Sequence, residues 1–108
     1  MITTHVLDTA TGTPAIGMRV VLDIHKGSEW IRLADGETDD RGRLTSLTDN
    51  LAIDPGVYRL TFDTATYHRN VKSFFPEVQV VFKVTALSEH VHVPLLVSPF
   101  GYTTYRGA

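Results

Sequence analysis

Met18-Arg19-Val20-Val21-Leu22-Asp23-Ile24-His25 alternates apolar and polar side chains with a period of two. Met18, Val20, Leu22 and Ile24 point one way; Arg19, Asp23 and His25 point the other. A helix needs a period near 3.6, so this stretch predicts a strand with one face on a core. Working outward, Val57–Asp63 repeats the pattern with Tyr58, Leu60 and Phe62 inward, and Glu77–Thr85 with Val78, Val80, Phe82 and Val84 inward. Ile2–Asp8 sets Ile2, Thr4 and Val6 opposite Thr3, His5 and Leu7. His90–Ser98, Tyr102–Arg106, a short Trp30–Ala34 and a weak Arg43–Leu47 complete the set. Turn residues separate them at Thr9–Ala15, Lys26–Glu29, Asp35-Gly36, Asp39–Gly42 and Thr48–Gly56. Only Thr64–Asn70 predicts a helix, capped by Asp63 or Thr64. About eight short strands with one small helix predict an all-β, two-layer β-sandwich. The length of 108 residues predicts one domain, 1–108.

Composition narrows the function classes. There is no cysteine, so neither a disulfide framework nor a thiolate metal site can form. The net charge is −2 and no basic block or basic amphipathic helix occurs, which argues against nucleic acid and membrane surfaces as partners. No apolar run reaches membrane-spanning length, and Met1–His5 leads into a strand pattern rather than a secretory leader. The expected location is cytoplasmic.

The chain's ending carries the chemistry. His90-Val-His92-Val-Pro-Leu-Leu-Val-Ser-Pro-Phe-Gly-Tyr-Thr-Thr-Tyr-Arg-Gly-Ala108 sets two histidines, two tyrosines and an arginine in a terminal segment. Termini are normally polar and frayed, so ordering this one implies burial against the protein or a neighbouring subunit. His90 and His92 leave the same face of their strand. Beyond them Leu95, Leu96 and Val97 make both faces apolar, which predicts a subunit contact. Pro94 lacks a ladder donor and predicts an edge or a bulge. A His-x-His pair with His5 can hold zinc, but no carboxylate sits at a fixed spacing to orient such histidines, and no metal is assigned. His25, at a strand end, and His68, on a short surface helix, read as ordinary solvated or core-satisfied histidines.

Histidine suits proton transfer near neutrality. Guanidinium groups at Arg43 and Arg106 can grip a planar carbonyl or ureide group with paired hydrogen bonds; Arg41 reads as surface. Such residues suit an anionic, planar ligand. No nucleophile elbow, phosphate-binding glycine loop or dinucleotide fingerprint occurs. Asp39 and Asp40 lie in a turn, where backbone hydrogen bonding is the expected role.

These residues resemble the transthyretin-related 5-hydroxyisourate hydrolase family over essentially the whole chain. The resemblance rests on Thr4-His-Val-Leu-Asp8 with Gly12-Thr-Pro-Ala15, on Gly42-Arg43, on Phe62-Asp-Thr-Ala65 with Tyr67, and on Phe74-Phe-Pro-Glu-Val78. Its specific segments are His92-Val-Pro-Leu-Leu-Val-Ser-Pro-Phe-Gly-Tyr102 and Tyr105-Arg-Gly107. Transthyretin itself shares the fold but lacks the early histidine and the Tyr-Arg-Gly ending. The resemblance implies a transthyretin-like sandwich assembled as a homotetramer, a dimer of dimers, with active sites in the channel between dimers. It implies a purine-derived small-molecule substrate and hydrolytic opening of the six-membered ring of 5-hydroxyisourate, with no metal or organic cofactor. Catalytic positions carry over onto His5, Arg43, His92 and Arg106, and substrate-binding positions onto Tyr105, Gly107 and Ala108. His92 is the expected base, Arg43 or Arg106 the oxyanion stabiliser, and His5 the group that orients water or protonates the leaving nitrogen. Two positions depart from the family. Ala108 replaces a serine, and Arg41 stands where an acidic residue is usual. The loss of the hydroxyl at Ala108 is the one feature favouring a carrier without catalysis.

Overall fold

A computed structural model describes residues 1–108. Nine strands and one helix follow in chain order: β1 Ile2–Asp8, β2 Thr13–Pro14, β3 Arg19–Lys26, β4 Glu29–Glu37, β5 Arg43–Leu44, β6 Gly56–Phe62, α1 Thr64–Tyr67, β7 Val78–Val84, β8 Val91–Ser98 and β9 Gly101–Thr104. One sheet runs β2-β1-β8-β9, with β5 also pairing β1; the other runs β4-β3-β6-β7. The alternating faces close on each other. Met18, which directly precedes β3, Val20 and Leu22 within β3, and Tyr58, Leu60 and Phe62 of β6 meet Ile2 and Val6 of β1 and Val91, Val93, Leu95 and Val97 of β8 in one buried cluster. Burying each such side chain contributes roughly 1.5–3 kcal/mol, which holds strand register. The two-sheet, nearly all-β architecture is the one predicted.

The differences have local causes. β4 continues through Asp35-Gly36, expected to turn, because Gly36 has no side chain to obstruct Leu44; an added Cβ would stand 3.0 Å from Leu44 Cδ1. The weak Arg43–Leu47 strand shrinks to the two residues that pair with Thr4 and His5. Thr13-Pro14, expected as turn, pairs with Leu7 and Asp8. The helix stops at Tyr67, and Asp63 caps it by accepting the Thr66 N–H at 3.1 Å. In β7, Val78 and Val84 are buried, but Val80 and Phe82 only half so.

Pro94 lies in an interior strand, not on the edge or bulge expected of it. The Val91 N–H donates to Met1 O while the His92 carbonyl accepts the Gly107 N–H, both at 2.8 Å. Odd residues of β8 therefore bond β1, and even ones face β9 and the tail. The donor that Pro94 lacks falls on the tail side, after β9 has ended, where the Thr104 hydroxyl donates to Pro94 O at 2.7 Å.

Gly42 shapes the turn into β5. Its φ is +75°, and an added Cβ would lie 2.4 Å from the Val6 carbonyl oxygen. Its own carbonyl accepts the Val6 N–H at 2.7 Å. Gly42→Ala should therefore destabilise the fold by about 2–4 kcal/mol, combining left-handed strain with a backbone clash. Urea unfolding checks this: the midpoint falls if the turn is rigid and stays put if it yields.

Candidate active site

The site is built by strand register. β1 and β8, near the two ends of the chain, run parallel with Thr3 beside His92. β5 runs antiparallel to β1 with Arg43 opposite His5. Residues two apart on a strand share a face, and directly paired residues share it too. Thr3, His5, Arg43 and His92 thus stand on one outer face of the first sheet. The tail completes the group: Gly107 bridges to His92. Thr3, Arg43, His90, His92 and Ala108 line a shallow depression of about 240 Å³.

Each group is held by identifiable contacts. The Thr3 hydroxyl lies 2.8 Å from His92 Nδ1 and 3.2 Å from His90 Nε2. His92 Nε2 has no hydrogen-bond partner in the chain. Gly107 lies against the imidazole so closely that a Cβ there would sit 2.5 Å from His92 Cδ2. His5 Nε2 lies 2.9 Å from the Arg41 carbonyl. A carbonyl only accepts, so this nitrogen carries the proton and neutral His5 keeps a free lone pair on Nδ1. Asp39 organises the loop: Oδ1 accepts the N–H groups of Arg41 and Arg43, both at 2.9 Å. Those bonds, Arg43's first, hold the Asp39 carboxyl below its ordinary range. This is the backbone role expected of a turn aspartate. The Arg43 guanidinium makes no ion pair or hydrogen bond within the chain and is free for a ligand.

Burial lowers the pKa of His92 below its ordinary 6.5, and the Arg43 charge lowers it further, as do His5 and His90 whenever they are protonated; a Thr3 backbone contact opposes them. His92 is therefore uncharged at neutrality, with an unshared nitrogen.

Of the predicted site residues, His5, Arg43, His92, Gly107 and Ala108 come together. Arg106 and Tyr105 do not. Gly107 lies on the His92 face, and Arg106, one residue earlier, falls on the opposite side with Val93, over an apolar cleft that Tyr105 also lines. Its guanidinium bonds Glu89 Oε2 at 2.6 Å. The other oxygen of Glu89 accepts the N–H groups of Thr85 and Ala86, both at 3.1 Å. The Arg106 bond, then these backbone donors, push the Glu89 pKa down to about 2. Sequence reading missed Glu89 and Thr3, whose partners are 17 and up to 89 residues away; no local motif marks either. The three candidate zinc ligands do not form a ligand set, since the Thr3 hydroxyl stands between His90 and His92 while His5 turns to Arg41.

His68 corrects a second expectation. Read as an ordinary histidine on a surface helix, it is only 5% exposed, and its Nε2 has no partner. It lies near the buried Asp8, whose carboxylate accepts the Tyr67 hydroxyl at 2.7 Å. Thr64 and His68 at the two ends of α1 are buried, while Ala65 and Thr66 between them stay exposed.

Residues 2–107 match the HIUase/transthyretin family. The chain belongs to that family. It is 44% identical over 110 residues to a 5-hydroxyisourate hydrolase of Salmonella dublin, covering 100% of this chain and 81% of the relative. Its backbone is similar to the 5-hydroxyisourate hydrolase of Klebsiella pneumoniae, with TM-score 0.87 and 33% identity over 99% of this chain and 98% of the other. It is also similar to sea bream transthyretin solved in complex with thyroxine, with TM-score 0.91 and 32% identity over 99% and 94%. Backbone likeness alone does not separate these two members of the family; the side chains on the outer face must.

The electrostatics can be checked without any ligand. In an NMR titration His92 should titrate below 6.5. Removing one of its cationic neighbours, in Arg43→Met, should move the midpoint upward. An unmoved midpoint would mean that the guanidinium does not face the imidazole.

Proposed function

We propose that the chain hydrolyses 5-hydroxyisourate in urate breakdown, opening the six-membered ring to give 2-oxo-4-hydroxy-4-carboxy-5-ureidoimidazoline. The observation that carries this reading is an uncharged imidazole with a free Nε2 beside an unpaired guanidinium, in a shallow depression suited to a flat anionic heterocycle. The relatives named as 5-hydroxyisourate hydrolases support it.

His92 Nε2 takes a proton from water, and the hydroxyl oxygen bonds to a ring carbonyl carbon. Negative charge develops on the carbonyl oxygen, where Arg43 stabilises it. Arg106 is turned toward Glu89, so Arg43 is preferred for this role. The C–N bond then breaks, and the proton held by His92 passes to the leaving nitrogen. Water has been added across the bond, and the histidine is neutral again. With its Nε2–H given to the Arg41 carbonyl, the uncharged form of His5 has only the Nδ1 lone pair to offer, which suits it to orienting the water. Arg106 and Tyr105 act by anchoring the tail, so that Gly107 and Ala108 border the substrate. No metal or organic cofactor has a part in this scheme.

The assembly we propose is a homotetramer, a dimer of dimers, formed by one domain spanning residues 1–108. The outer edges of β7 and β9 are unpaired within the chain. Val81 and Tyr102 on these strands are exposed, and edges of this kind seek partners. Half-exposed Leu7 and Leu96 lie on the same outer face as the depression, so a second copy there closes it into a channel. A cytoplasmic location is in keeping with the absence of cysteine. No helix is long and apolar enough to cross a membrane.

The test follows the ultraviolet decay of freshly generated 5-hydroxyisourate. Decay should outpace the spontaneous reaction, and kcat/KM should fall on the acid side of neutrality as His92 protonates below 6.5. His92→Gln and Arg43→Met should each cost about 10²–10³-fold in kcat. Ala108→Ser should raise the rate if a terminal hydroxyl aids the water. Decay at the background rate, with ligand binding retained, would identify a carrier instead.

A further inference from the structure

A base can use only the nitrogen that lacks a proton. Nε2 of His92 is the nitrogen without a partner in the chain and the one the proposed reaction uses, so Nδ1 must carry the hydrogen. The side chain that meets Nδ1 is the hydroxyl of Thr3, at 2.8 Å. That hydroxyl also meets His90 Nε2 at 3.2 Å. A hydroxyl has one proton to donate and two lone pairs to accept with. It cannot donate to both imidazoles, so the direction of one bond constrains the other. If Thr3 donates to His92 Nδ1, the proton of neutral His92 is forced onto Nε2 and the base is lost. If Thr3 donates to His90, its lone pair faces His92 and Nδ1–H is favoured.

We propose that Thr3 and His90 are positioning residues that form a one-way hydrogen-bond chain, His92 Nδ1–H to Thr3 Oγ1 and Thr3 O–H to His90 Nε2, which keeps the reactive nitrogen of His92 free. This rests on the reading of His92 as the hydrolytic base. It extends that reading to two residues that carry no other role here.

Three features of the fold fit the assignment. Thr3 is only 4% exposed, so water competes poorly for its hydroxyl. It is β-branched and lies within β1, which restricts the rotamers that aim Oγ1. The parallel register sets it beside His92, and β8 begins only at Val91, which leaves His90 at the strand's threshold with an exposed side chain. Exposure lets the far nitrogen of His90 hold its proton toward solvent, so Nε2 can accept from Thr3. The chain resembles the serine–histidine–carboxylate arrangement in logic only: the third group fixes which nitrogen of the base is free. Here the fixing group is a hydroxyl, itself aligned by a second imidazole. No charge is added beside a base that must stay neutral.

The test combines a spectroscopic readout with kinetics on the full chain. Long-range 1H–15N spectra, recorded above the His92 titration, report which nitrogen carries the proton. Wild type should show Nδ1–H. Thr3→Val, which keeps shape but removes the hydroxyl, should shift His92 toward Nε2–H and lower kcat for 5-hydroxyisourate by about 10- to 100-fold, the usual cost of losing a histidine's orienting partner. KM should change little. Thr3→Ser should restore the Nδ1–H signal and recover most of the rate. His90→Phe, an exposed substitution that leaves the fold intact even if Thr3→Val unfolds, should shift the tautomer in the same direction with a smaller loss of kcat. An Nε2–H signal in wild type, or a tautomer and kcat unchanged in His90→Phe and in folded Thr3→Val, overturns the chain. A wild type that fails to hydrolyse 5-hydroxyisourate overturns the function instead, and the spectra then decide the hydrogen-bond direction alone.

Discussion

The parallel ladder between β1 and β8 is the constraint on which everything else rests. It puts Thr3 beside His92 and makes neighbours of residues almost a full chain length apart. A slip of one residue would reverse every side chain on the strand, sending His92 into the core and Val93 to the surface. The slip is opposed by Ile2 and Val6 on one strand and by Val91, Val93 and Leu95 on the other, all buried. Thr4 adds a polar lock, since its buried hydroxyl donates to the Val93 carbonyl at 2.6 Å. Hydrophobic burial on the inner face thus aligns polar groups on the outer face that it never touches.

With that register set, the outer face becomes an electrostatic exception within an acidic protein. The net charge is −2, yet His90, His92 and Arg43 line one depression, and His5 is the strand partner of Arg43. No aspartate or glutamate lines the depression. Glu89 is nearby in sequence, but its charge is engaged by Arg106 and the backbone of the Thr85–Ala86 turn. Burial, and then the charge of Arg43, disfavour protonation of His92. The same charge leaves the face attractive to an anionic ring. In the proposed reaction one arrangement thereby serves as both proton acceptor and anion site.

Absence of side chains matters as much as their presence. Gly107 lets the tail lie flat on the imidazole, and Gly42 lets the turn before Arg43 pass under the Val6 carbonyl. Pro94 withholds a donor at the point where the tail leaves β9, and the tail rejoins β8 at His92 through a single bridge. Arg106 then serves as the tail's anchor through Glu89 rather than as a neighbour of His92.

Much of this was written in the chain itself. Period-two alternation in Met18–His25 and Val57–Asp63 determined strands, and with the turn residues between them a two-layer β-sandwich, because such a face is stable only against a second sheet. The residue types in the tail and at His5 and Arg43 determined the kind of chemistry. Pairing partners, by contrast, were decided only in three dimensions. Nothing local to Thr3 or Glu89 announces a partner, Gly36 reads as a turn until Leu44 comes to pack on it, and His68 reads as surface until the folded chain buries it. The face taken by Arg106 also depends on how the tail re-enters the ladder after Pro94. Local sequence sets which side of a strand a residue occupies; which strand lies alongside is settled by burying the whole core at once.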